Sequence, residues 1–128
     1  MTLKDILTYC KQHIDCPVWR VSKLDEQYSK SITIYDGAPG RWRMTLGHTN
    51  CEEKYIQVLI HWGNNPTEAE EKAAEVYNFL KSSGFFYIND CLCFSMMERG
   101  APVYLGVSSD GVYEYTVTFV IVSNKSKK

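Results

Sequence analysis

Asp110-Gly111 constrains this chain more than any other pair of residues. It lies between Gly100-Ala101-Pro102-Val103-Tyr104-Leu105-Gly106 and the run Val112 to Val122, and both flanks are rich in β-branched and aromatic residues. Reversing the chain between two such runs requires positive backbone φ, which Gly and Asp or Asn adopt at low cost. The pair therefore predicts a closing hairpin with a long final strand. No catalytic group sits in that hairpin, and its tyrosines are expected on its surface, a combination suited to assembly rather than turnover.

The chain has 128 residues, enough for one domain over 1–128 with its own core and no need of metal or disulfide staples. Residues 124–128 are expected to fray. Fourteen basic and fifteen acidic side chains give a formal charge of −1. That balance leaves no broad electrostatic footprint for nucleic acid or anionic membrane. Met1-Thr2-Leu3-Lys4-Asp5 lacks the apolar core of a signal peptide, and no apolar run nears the ~20 residues that span a bilayer. A soluble chain made in the cytosol, with no membrane partner and no sequence-specific nucleic-acid partner, is the expectation. Five cysteines at positions 10, 16, 51, 91 and 93 form an odd set without framework spacing, so reduced thiols are expected.

Leu3, Ile6, Leu7, Cys10 and Ile14 recur at helical spacing after Thr2, with Asp5 placed to complete a capping box, and Pro17 is expected to stop this first helix. Val18 to Val21 reads as a short strand or an extended entry to a loop. Ser31 to Tyr35 reads as a strand, broken by Asp36-Gly37-Ala38-Pro39-Gly40. From Tyr55 to Trp62 the residues alternate, with Ile56, Val58, Ile60 and Trp62 on the core face and His61 half-exposed on the other. Asn65-Pro66-Thr67-Glu68 starts a second helix, whose apolar stripe is Ala69, Ala73, Val76, Tyr77 and Leu80 and whose end is marked by Lys81 and Gly84. Ile88 to Met97 reads as one further strand, with Ile88, Leu92, Phe94 and Met96 in phase. The element order predicts an α+β fold: a mixed, mostly antiparallel sheet with two main helices packed on it.

Few constellations carry chemistry. Cys91-x-Cys93 has the wrong spacing for a zinc knuckle and lacks a second ligand pair, so buried apolar thiols are the reading, with no metal and no cofactor. His48, Cys51 and His61 could supply a Cys-His pair, but no nucleophile elbow accompanies them. The glutamates at 68, 70, 71 and 75 fit the positive end of a helix dipole. Arg41-Trp42-Arg43 with His48 mixes basic and aromatic groups in a loop from about Asp36 to Glu53, longer than the ~12–15 residues of a passive connection. That mixture can stack on bases, but without a wider basic surface it reads better as a protein anchor, since Trp, Tyr and Arg dominate interface hot spots; a simple extended hairpin tip is the plain alternative for the loop. Arg41, Trp42, Arg43 and His48 are therefore candidate loop contacts, and Arg99, Tyr113 and Tyr115 candidate subunit-boundary residues.

The strand Lys54-Tyr55-Ile56-Gln57-Val58-Leu59-Ile60, the helix from Pro66 through Val76-Tyr77-Asn78-Phe79-Leu80, and the closing Pro102-x-x-Leu105-Gly106 … Asp110-Gly111-x-Tyr113-Glu114-Tyr115-x-Val117-x-Phe119 resemble the minor capsid or tail terminator proteins of long-tailed bacteriophages. The resemblance covers most of the chain after residue 30; Val112 departs from it, standing where a basic residue often follows the turn glycine. It implies a non-enzymatic virion protein that caps the tail tube as a homohexameric ring, with the tube protein and the head-tail connector as partners. The alternative within the phage neck is a head-closure protein. A small cytosolic binding module or a cysteine hydrolase lies further off.

Overall fold

A computed structural model describes residues 1–24, 27–37 and 51–124, with the backbone alone at Cys51. Among them the elements run α1 (Leu3–Lys11), β1 (Trp19–Val21), β2 (Lys30–Asp36), β3 (Cys51–Trp62), α2 (Pro66–Lys81), β4 (Phe85–Ile88), β5 (Cys91–Met97), β6 (Val103–Val107) and β7 (Tyr113–Asn124).

Both helices begin where their capping chemistry predicts. The Asp5 amide donates to Thr2 Oγ1 at 3.2 Å, and the Thr2 amide donates to Asp5 Oδ2 at 2.7 Å. That backbone contact at Thr2 is the main reason the Asp5 carboxyl titrates below its ordinary range. At α2, Asn65 Oδ1 accepts from the amides of Thr67 and Glu68 at 2.9 and 3.2 Å. α1 is shorter than expected, ending at Lys11 rather than near Ile14. The amides of His13 and Ile14 both turn back onto the Cys10 carbonyl, so Ile14 enters the core from outside the helix and Pro17 does not set its end.

The strands form one sheet in the order β1-β2-β3-β7-β5-β4, with β6 also paired to β7. β1 runs parallel to β2, and the other five pairings are antiparallel. Cross-strand rows Ile34–Val58–Val117 and Ile56–Phe119 line the face that the helices cover. α2 lies across β3, β7 and β5, whereas α1 reaches β1 and β2 at one end of the sheet and β4 at the other. The sheet therefore curls around its helices. Tyr9 of α1 stacks on Phe86 of β4 at 4.5 Å and meets Phe79 of α2 at 5.8 Å, joining the three elements. Lys72 of α2 sits 4.8 Å over the Trp62 ring and donates to the Asp15 carbonyl at 2.8 Å, tying α2 to the segment after α1.

Three expectations about the strands are corrected. The single strand read over Ile88–Met97 is a hairpin, because Asn89 and Asp90 both adopt left-handed backbone, φ 51° and 65°. Short polar side chains tolerate this conformation, and the pair turns β4 into β5. The core phase of β5 is also the opposite one: Cys93 is fully buried, while Leu92, Phe94 and Met96 point to the outer face and only Ile88 points inward. β3 also starts earlier than Tyr55, at Cys51.

Phe119 is fully enclosed at the centre of this arrangement. Truncating it to alanine should cost about 3–5 kcal/mol, read as a lowered midpoint in denaturant unfolding. A loss under about 1 kcal/mol would mean that the core is not centred on β7.

Candidate functional site

On the face away from the helices, Ser31, His61 and Glu114 stand side by side on β2, β3 and β7. His61 was read as half-exposed, yet it is 1% exposed. Its Nδ1–H donates to Glu114 Oε2 at 2.7 Å, which orients the ring and bridges β3 to β7. Its Nε2, together with Ser31 Oγ and Thr33 Oγ1, is buried without a hydrogen-bond partner. Carboxylate, imidazole and hydroxyl in a row have the order of an acyl-transfer triad. The geometry does not support that chemistry, because Ser31 is 0% exposed and its hydroxyl makes no bond to the imidazole. The pair acts as a structural tie. Burial raises the nearby Tyr35 phenol above its ordinary value, and the Glu114 charge adds to the rise. No local pattern betrays the His61–Glu114 contact, since its members lie 53 residues apart.

Four of the thiols are described, and all four are free. Burial pushes the Cys10 thiol up to about 12. It also raises Cys16 and Cys93, each partly offset by backbone hydrogen bonding. A raised thiol is a poor nucleophile at neutral pH. Among the described residues, no group of three or more His, Cys, Asp and Glu side chains could hold a metal ion, and no helix is long and apolar enough to cross a membrane.

The remaining candidates concern surfaces. Arg41, Trp42, Arg43 and His48 lie outside the described residues. Arg99 is exposed, and its carbonyl accepts from the Tyr77 hydroxyl at 2.9 Å, holding the β5–β6 connection against α2. Tyr113 and Tyr115 are half-buried rather than displayed, because both pack against the core and meet Tyr104 at 6.5 and 5.3 Å. The turn after β6 spans Ser108 to Val112 and carries Gly111 at φ 82°, as the Asp-Gly pair requires.

Tyr104 is exposed, as expected of the hairpin tyrosines, but the other most exposed apolar groups are not among the sequence candidates. Phe85 and Tyr87 on β4 are 72% and 67% exposed, and Tyr104, Leu105 and Val107 on β6 are about half exposed. On the outer face, Phe85 meets Phe94 edge-on at 5.6 Å, and the row continues to Val122. Alternation would have revealed this face had Phe85-Phe86-Tyr87-Ile88 not been apolar in both phases. Neither family models nor curated proteins return a match to this chain.

Glu114→Ala should destabilise the fold by ~1–3 kcal/mol, because it strands the buried His61 donor. Glu114→Gln keeps an acceptor and should lose clearly less. Equal losses in denaturant unfolding would show that the bond to His61 is not what matters. The thiols give a second test. Between 9.0, the ordinary thiol value, and about 12, the unfolded chain releases a proton that folded Cys10 retains. Stability from this group is complete below that window and falls through it. Alkylation of Cys10 in mildly alkaline buffer should therefore wait on unfolding, and rapid labelling of native protein at Cys10, mapped by mass spectrometry, would refute its burial.

Proposed function

We propose that this chain is a structural virion protein of a long-tailed phage that caps the tail tube as a ring, stops its polymerisation and offers a surface for joining the head. The observation that best supports an assembly role is the placement of the exposed apolar residues. Of the six large apolar side chains displayed among the described residues, Phe85, Tyr87, Tyr104, Leu105 and Val107 lie on β4 and β6, whose outer edges are unpaired in the sheet. Unpaired backbone beside exposed aromatic surface is suited to contact with other chains. The particular role comes from the resemblance of the strand from Lys54, the helix from Pro66 and the Pro102 to Phe119 run to tail terminator proteins.

Capping requires no bond-making. It requires complementary surfaces between neighbouring copies in a closed ring, and between that ring and the tube. Arg41, Trp42, Arg43 and His48 are the proposed loop contacts to tube or connector, and Arg99, Tyr113 and Tyr115 are proposed to lie near subunit boundaries. Both tyrosines are half-buried, so each has only part of its surface to offer.

Tail length by electron microscopy tests the role directly. A phage stock with this gene inactivated should yield overlong, headless tails, returned to uniform length by complementation. Normal-length tails that fail to join heads would replace capping with head closure, and normal infectious particles would overturn both. Alanine at both Trp42 and Arg43 should weaken capping while leaving the monomer folded.

A further inference from the structure

Among the described residues, neither helix reaches β6. α2 lies on β3, β5 and β7, and α1 on β1, β2 and β4, so the helix side of β6 has no roof. Tyr104 and Val107 stand on that side, opposite Tyr115 and Tyr113 of β7, which share the inward phase of Val117 and Phe119.

The three tyrosines form a shelf along the flank of α2. Tyr104 lies 5.3 Å from Tyr115 and 6.5 Å from Tyr113 between ring centroids, and the 57° tilt against Tyr115 makes an angled corner rather than a flat stack. The Tyr113 amide donates to the Gly63 carbonyl at 2.9 Å, which places the start of β7 beside the start of α2. Glu70, in the second turn of that helix, is exposed. Its carboxylate is close to the corner: burial raises the Tyr115 phenol above its ordinary value, and the charges of Glu70 and then Tyr104 add to the rise.

Everything this corner offers attracts positive charge. Among the described residues, the hydroxyls of Tyr104, Tyr113 and Tyr115 and the Glu70 carboxylate make no hydrogen bond or ion pair. Elsewhere the chain covers its aromatic faces with its own cations: Lys30 and Lys72 lie over Trp62, Arg20 over Tyr28 and Lys81 over Tyr77. No described Lys or Arg lies over the three clustered rings. Negative ring faces, free phenol oxygens and a free carboxylate together suit a cation that carries several N–H donors. A guanidinium suits them better than an ammonium, because its plane lies against a tyrosine ring while its fork reaches a carboxylate. The exposed Glu71 adds a second negative charge, so the partial positive charge at the start of α2 is outweighed.

We propose that Tyr104, Tyr113, Tyr115 and Glu70 receive an arginine side chain of a partner chain, with the guanidinium against the rings and its N–H groups on the carboxylate. This gives a chemistry to the subunit-boundary role of Tyr113 and Tyr115, and it rests on the assembly reading only for the partner being a virion protein. Binding is measured on the free chain, so failure to hold arginine and failure to cap tubes are separate results.

The test titrates the full chain with a blocked Gly-Arg-Gly peptide and follows the tyrosine ring resonances by NMR, with the same peptide carrying citrulline or lysine as comparison. Expected is a saturable shift at Tyr104, Tyr113 and Tyr115 with a millimolar midpoint, as a single side-chain contact gives, while Tyr87 on the other face does not move. Citrulline keeps the shape without the charge and should give no saturable shift, and lysine should bind more weakly than arginine. Glu70→Gln should weaken the arginine peptide about tenfold, and Tyr104→Ala about two- to fivefold. Both positions are exposed, so circular dichroism and melting temperature should match the parent. No saturable shift in the parent, equal binding of the citrulline peptide, or unchanged affinity in both variants would overturn the proposal. Lysine binding as tightly as arginine would overturn the assignment to a guanidinium.

Discussion

The pairing of β3 with β7 is the constraint on which the rest depends. Eleven consecutive registered positions, from Cys51–Asn124 to His61–Glu114, join two twelve-residue strands at the middle of the sheet. β2 adds to one side, β5 and β6 to the other, and α2 lies across both strands. A slip of one residue would send Ile56, Val58 and Ile60 to the outer face, because side chains alternate along a strand. The register is therefore determined from both faces. Apolar rows specify it beneath the helices, and on the outer face the 2.7 Å bond between His61 and Glu114 forms only in this alignment. This gives a structural reason for a buried, partly unsatisfied histidine to persist at this position. It is an expensive group to bury, and its value lies in rejecting the neighbouring register.

How much of this was legible depended on whether the determining signal was local. α2 could be read in full, since Asn65, Pro66 and Glu68 specify its start within four residues and the stripe from Ala69 to Leu80 keeps one period. The capping box at Thr2 and Asp5 was equally plain, but α1 ends at Lys11 through backbone turns onto the Cys10 carbonyl that no side chain announces. The β4–β5 turn is carried by Asn89-Asp90, yet the apolar residues on either side suggested one continuous strand. In β5, two cysteines occupied the inward phase, and thiols do not distinguish inside from outside as clearly as isoleucine does. The His61–Glu114 pair depends on a strand pairing across half the chain, so only knowledge of the whole sheet could reveal it. The surface candidates divide similarly: residue type drew attention to Tyr113 and Tyr115, whereas exposure singles out Phe85, Tyr87, Leu105 and Val107.

The outer face is divided along its length. Near β2 it carries the polar rows Ser31–His61–Glu114 and Thr33–Leu59–Thr116, and near β4 the apolar rows Phe85–Phe94–Val122 and Tyr87–Leu92. Burial on the polar half is as complete as in the core, with Ser31 and Thr33 both at 0% exposure, whereas the apolar half leaves Phe85 and Tyr87 in solvent. That is the reverse of what solvation alone would arrange. The polar half is enclosed within the fold, whereas the apolar row is buried at Val122 and opens to solvent only at its rim, at Phe85 and Tyr87.

A capping protein faces opposed requirements. It must present adhesive surface to a growing tube, yet open apolar edges invite uncontrolled sheet extension while the protein is free. A straight, uniform edge would meet the first requirement and fail the second, because each added copy exposes the same edge again. Here β6 stands beside the first half of β7, β5 beside the second, and β4 adds outside β5 alone, so this edge is stepped rather than straight. The β5–β6 connection lies at the break, held by the Tyr77 hydroxyl donating to the Arg99 carbonyl at 2.9 Å and the Glu98 amide donating to the Thr118 carbonyl at 3.1 Å. Under the proposed capping role, the apolar exposure of Phe85 and Tyr87 that looks like an aggregation hazard in a single copy is surface held for assembly.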